Sequence, residues 1–136
     1  MVCFVTNLEI QTTEKGSYCV ITLKGRIDAF SDRRLLKALK PISETTRRWI
    51  ALDLSQVEFL SLWALKEIHN WSLEMRLEQR RLVLLSVPAL ILKQIAVFLP
   101  PPQFDTYLTF EELELKSFYE AHRSMNLQPR YEVPLN

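Results

Sequence analysis

The chain has 136 residues, 48% of them hydrophobic and 24% charged, with a formal net charge of +1. That length and apolar share suffice for one domain with its own core, and the near-neutral balance excludes the basic footprint of a nucleic-acid binder. Two cysteines, Cys3 and Cys19, make neither a disulfide framework nor a zinc spacing, so no metal is expected.

The start, residues 1–9, lacks the basic run and apolar stretch of a secretory signal. No apolar stretch approaches the ~20 residues needed to span a bilayer. A cytoplasmic protein without direct membrane insertion is expected. Residues 8–12 predict a short strand and residues 13–17, with Gly16, a hairpin turn. The β-branched and aromatic run YCVITL from Tyr18 to Leu23 predicts the next strand, with Cys19 as a buried thiol. Gly25 is expected to end it, and Arg26-Ile27-Asp28 to lead into a loop.

Ser31 is placed to cap a helix running to about Leu39, with Leu35, Leu36 and Leu39 on one face and Pro41 as its stop. The run WIALDL from Trp49 to Leu54 is apolar almost throughout and predicts an interior strand. Ser61 opens the longest helical pattern, reaching about Gln79. Its wheel places Leu65, Ile68, Ser72 and Met75 on one side, flanked by Leu62, His69, Leu73 and Leu77. Trp63, Glu67, Asn70 and Glu74 fall opposite, and Trp71 lies at the edge, partly buried. The run RLVLLSV from Arg81 predicts another interior strand.

From Pro88 to Phe98 the pattern is helical but apolar on nearly all sides. One helix on a sheet hides only one stripe. The excess predicts a second burial, either a homodimer or partner surface, or cover by the proline loop or the C-terminal tail. Pro100-Pro101-Pro102 breaks that helix. Residues 104–108 predict a last short strand, and residues 109–119 a helix with Thr109 and Glu112 at capping-box spacing. Residues 1–120 are read as the domain and 121–136, with Pro129 and Pro134, as an extension that is disordered or docked on a partner.

Strands alternating with helices imply largely parallel pairing with right-handed crossovers. The fold class is therefore α/β, with a mixed four- to five-stranded sheet covered by about four helices. Only two glycines occur, Gly16 and Gly25, which excludes the glycine-rich loops that cradle phosphates. Asp28, Asp53 and Asp105 lie at the ends of different strands with no histidine or nucleophile beside them. His69 reads as a packed or surface residue. The pairs Arg33-Arg34, Arg47-Arg48 and Arg80-Arg81 read as solvated faces. No cofactor and no enzymatic activity are expected.

The order of these elements resembles the STAS domain, and within that family the anti-sigma factor antagonists. The stretch from Tyr18 to Asp28 is similar to the family's opening strand and glycine-containing loop. Leu52-Asp53-Leu54-Ser55-Gln56-Val57-Glu58-Phe59 is similar to the strand and turn before its key helix. Residues 81–88 and 104–113 match its later elements. The family's regulatory motif, Asp-Ser-x-Gly-Leu or a close variant, falls here on Ser61-Leu62-Trp63-Ala64-Leu65. Ser61 stands in place of Asp, Trp63 at the usual phosphoacceptor position, Ala64 in place of Gly, and Leu65 alone is retained.

The resemblance implies a non-catalytic protein-interaction module whose partner surface comprises Asp28, Ser61, Leu62, Trp63, Glu67 and Asn70. Trp63 has no hydroxyl to accept a phosphate, so the usual switch is missing, and Ser61 reads as the helix cap. Trp63 itself is either a docking anchor or a lid folded over the neighbouring loop. The implied partner is an anti-sigma kinase-like protein. Alternatives are the ATPase of a lipid-transport ABC complex, with this chain as its cytoplasmic subunit, and a homo-oligomeric scaffold of the stressosome type.

Overall fold

The computed structural model describes residues 2–4, 8–28 and 32–125. Among the described residues, six strands form one sheet in the order of their sequence: β1 Val2–Phe4, β2 Leu8–Lys15, β3 Tyr18–Ile27, β4 Trp49–Leu60, β5 Leu82–Leu85 and β6 Asp105–Tyr107. β1, β2 and β3 pair antiparallel, and β3 through β6 run parallel. Four helices among the same described residues complete the α/β fold: α1 Asp32–Thr46, α2 Leu62–Leu77, α3 Ala89–Phe98 and α4 Phe110–Met125. The sheet is mixed, as the sequence implies, and the short edge strand β1 brings it to six.

The β2–β3 hairpin closes on two residues, since Lys15 registers with Tyr18. Gly16 takes φ +58° there, a left-handed conformation that glycine adopts without a Cβ clash. The turn is therefore tighter, and β2 longer, than the sequence suggests. Gly25 does not end β3. It sits inside the strand at φ +119°, beside a register shift between Gly25 and Arg26. Such a bulge absorbs an extra residue and lets pairing continue. β3 and β4 thus extend to an Ile27–Leu60 register.

Strand alternation divides the core into two layers. Cys19, Ile21 and Leu23 of β3, Ile50, Leu52 and Leu54 of β4, and Leu82 and Leu84 of β5 face the main cluster, with side chains from α1, α2 and α3. Tyr18, Val20, Ala51, Val83 and Leu85 face the other way, where Phe110 and Leu113 of α4 cover them with Tyr107. The central strands are thus buried on both faces, which is why they read as continuous apolar runs.

Helix α1 runs through Pro41 instead of stopping before it. Leu35, Leu39 and Ser43 are buried and Ile42 packs on the core, one stripe continuing across the proline. Burial of that stripe outweighs the backbone hydrogen bond that proline forfeits. The expected cap Ser31 lies outside the described residues.

Helix α2 ends with Gln79 in the left-handed region at φ +60°. The Arg80 N–H reaches the Met75 carbonyl at 2.8 Å and the Gln79 N–H that of Arg76 at 3.0 Å, a Schellman arrangement. Helix α4 starts with the Glu112 N–H donating to Thr109 Oγ1 at 3.1 Å and the Leu108 N–H to Glu112 Oε1 at 2.8 Å. It runs to Met125, past the boundary expected at residue 120, and residues 126–136 lie outside the described residues.

The pair Arg80-Arg81 is not a solvated face. Arg80 Nη2 donates to the carbonyls of Ser43 and Arg48, where a cation meets the partial negative charge of the α1 C-terminus. Arg81 lies over the Trp49 ring at 5.7 Å and bridges Asp105 at 3.2 Å and Glu120 at 4.0 Å. Burial alone would lower the Arg81 pKa, but the Tyr107 and Asp105 hydrogen bonds and the nearby phenols hold it above its ordinary value.

Candidate partner-binding surface

Where β4 passes into α2, the backbone fixes a small edge of the domain. The Ser61 N–H donates to the Ile27 carbonyl at 2.9 Å, the last rung between β3 and β4. Ser61 then turns out of the strand with φ −65° and ψ 150°. Its Oγ accepts the Ala64 N–H at 3.0 Å, so the hydroxyl serves as the α2 N-cap. The Leu65 N–H closes the first turn on the Ser61 carbonyl at 3.0 Å.

That geometry places the predicted residues in two groups. Asp28 and Ser61 follow directly on the Ile27–Leu60 pair and so are neighbours at the strand ends, both half-buried. Trp63, Glu67 and Asn70 follow at helical spacing on the face of α2 turned from the core, with Trp63 and Asn70 exposed and Glu67 half-buried. Leu62 instead packs partly against the main cluster. Trp63 is 62% exposed, so most of its ring faces solvent.

One pair belongs to the same edge without having been expected there. Phe59 is exposed, and the Arg26 guanidinium lies 5.0 Å from its ring centre. The two residues are registered partners across β3 and β4. The alternation that would have marked Phe59 as outward-facing is broken by the bulge, so the sequence pattern concealed it.

The other chemical candidates resolve into structure. His69 is buried, donates from Nε2 to the Pro102 carbonyl at 2.9 Å, and packs edge-on against Phe104. Trp71 is buried more fully than its place at the helix edge suggests. Asp53 accepts the Ser55 N–H at 2.9 Å and Asp105 pairs with Arg81, so the three strand-end aspartates make no joint site. Cys19 is buried, and burial pushes its thiol above the usual range, which keeps it protonated and unreactive. Among the described residues, no group of three metal-ligating side chains occurs, and no helix is long and apolar enough to cross a membrane.

A second surface stands apart from this edge. Helix α3 buries only Ile91 and Ile95. Leu90, Leu92, Val97 and Phe98 remain exposed, and the proline loop does not cover them.

The fold is shared with two solved structures. One is the anti-sigma factor antagonist SpoIIAA in its unphosphorylated form, at a TM-score of 0.59 and 14% identity, covering 81% of this chain and 97% of that one. The other is Moorella thermoacetica RsbS S58E, at a TM-score of 0.61 and 19% identity, covering 82% of this chain and 97% of that one. No curated protein is detectably similar in sequence. A family model described as "Mlab, STAS domain" matches residues 10–98, which takes in the main sheet and helices α1 to α3, and the chain therefore belongs to the STAS domain family.

Proposed function

We propose that this domain is a non-catalytic docking module whose protein partner seats on the edge formed by Asp28, Ser61, Trp63, Glu67 and Asn70, with Arg26 and Phe59 beside it. The observation that carries this reading is Trp63, 62% exposed on the first turn of α2, at the edge where β3 and β4 end. A large aromatic left in water gains when a partner desolvates it, and tryptophan is enriched among residues that dominate binding energy. Ser61 is engaged as the helix cap and Trp63 cannot take a phosphate. Binding here is then constitutive instead of switched by phosphorylation.

The likeness to SpoIIAA, an anti-sigma factor antagonist, favours a kinase-like anti-sigma protein as the partner. The function is then transcriptional regulation by partner switching in the bacterial cytoplasm. A second reading rests on the bare outer face of α3. There the partner is the ATPase of a lipid-transport ABC complex, or a second copy of this chain in a homodimer or larger scaffold.

Affinity capture from the native cell tests both, with wild type beside Trp63→Glu and Val97→Glu and the bound proteins identified by mass. The first reading expects an anti-sigma-type kinase on wild type and Val97→Glu but not on Trp63→Glu. An ABC ATPase or only the chain itself, lost in Val97→Glu and kept in Trp63→Glu, overturns it in favour of the second.

A further inference from the structure

At the opposite end of the sheet, where β3 and β4 begin, a cleft of about 330 Å³ opens between the β2–β3 turn and α4. That volume is at the small end of the range for small-molecule sites. Its walls are aromatic. Tyr18 meets Trp49 edge to face at 5.8 Å and Phe110 at 6.2 Å, and Phe118 stands half-exposed among the lining residues. The turn side is open, since a Cβ built on Gly16 would meet nothing within 4 Å.

Two polar features make this more than a crevice between rings. Tyr18 is 4% exposed, yet its Oη makes no well-formed hydrogen bond, with the Ser117 hydroxyl its nearest side-chain neighbour of that kind. A buried hydroxyl without a well-formed hydrogen bond is costly to the fold, so a ligand that offers it a better acceptor gains what the free protein lacks. Burial pushes the Tyr18 phenol above its usual pKa despite nearby Arg81, which keeps it a donor at neutral pH. The second feature is Lys15, the cross-strand partner of Tyr18 on the same sheet face. Its ammonium sits 5.2 Å from the Phe110 ring centre and has no carboxylate within salt-bridge distance among the described residues. Glu114 lines the α4 side of the cleft and disfavours a second acid group.

We infer that this cleft binds a small aromatic monocarboxylate, its ring among Trp49, Phe110 and Phe118 and its acid group shared between the Lys15 ammonium and the Tyr18 hydroxyl. The site is separate from the partner edge at α2 and does not depend on that reading.

The test is a titration of the isotope-labelled full chain with phenylacetate and indole-3-acetate, followed by amide and indole resonances, with uncharged indole as the control probe. Saturable shifts at the Trp49 indole and the Ser117 amide are expected below about 10 mM. Lys15→Glu, at an exposed position, should weaken binding by about tenfold or more, the scale of one charge-assisted hydrogen bond. Tyr18→Phe should weaken it severalfold with the spectrum otherwise unchanged. No saturable shift at these probes, equal binding of indole, or equal binding by Lys15→Glu overturns the inference.

Discussion

Helices α2 and α3 each follow a parallel strand and cover the same face of the sheet, yet they are buried to opposite degrees. α2 hides Ala64, Leu65, Ile68, His69, Trp71, Ser72 and Met75. α3 has the more apolar sequence but hides only Ile91 and Ile95, leaving Leu90 70% and Val97 71% exposed. The difference is position. α2 packs against α1 and against β5, whereas α3 connects β5 to the three-residue edge strand β6 and joins the main cluster through Ile91 and Ile95. Burial is set by where the topology places a helix, and apolar composition beyond one stripe has no use inside this domain. What remains on α3 is apolar surface that none of the described residues covers.

The sharpest way to break this contrast is at Ile68, 1% exposed beneath α2. Ile68→Ala should destabilise the domain by about 2–5 kcal/mol in urea denaturation, the cost of lost burial plus a cavity. A loss under about 1 kcal/mol would mean that α2 is not the packed member of the pair. Next in size is the start of the same helix. Ser61→Ala removes the hydroxyl that accepts the Ala64 N–H and should cost about 1 kcal/mol, read from the same denaturation midpoint. A neutral result would show that the Ser61 hydroxyl does not hold the turn.

The smallest effect belongs to α3. Val97→Ser, at a 71% exposed position, should stay within about 0.5 kcal/mol, as surface changes do. A cost above about 1 kcal/mol, rising with protein concentration, would show that α3 is covered in solution by a second copy.

Much of this architecture was legible because its signals are periodic. The runs at Tyr18, Trp49 and Leu82 became central strands since a sheet covered on both faces demands continuous apolar sequence. The α2 wheel was readable because Leu65, Ile68, Ser72 and Met75 share one stripe. What escaped the sequence were local rules overridden by tertiary packing. Pro41 reads as a stop, but the buried stripe through Ile42 and Ser43 carries α1 past it. Gly25 reads as a strand end, but β3 continues through it, paired with a β4 that bulges opposite the Gly25–Arg26 step. Arg80 and Arg81 read as surface charge, because their partners in α1, β6 and α4 are distant in sequence.

The partner edge was half legible. Ser61 as a cap follows from a serine placed before an apolar run, while Arg26 and Phe59 were concealed by the same bulge. The aromatic cleft was not legible at all, since Lys15, Tyr18, Trp49 and Phe118 come from separate segments that only the sheet and α4 bring together.

The strands lie in the sheet in the order in which they occur in the chain. Each strand therefore finds its partner already present among residues synthesised before it. No strand must wait for a later one to be inserted between itself and its neighbour. Short sequence separation between paired elements speeds folding, and a chain emerging from the ribosome exposes its N-terminal part first. This domain can thus assemble by addition at one growing edge, from the β2–β3 hairpin outward, with the three-residue β6 closing the sheet last.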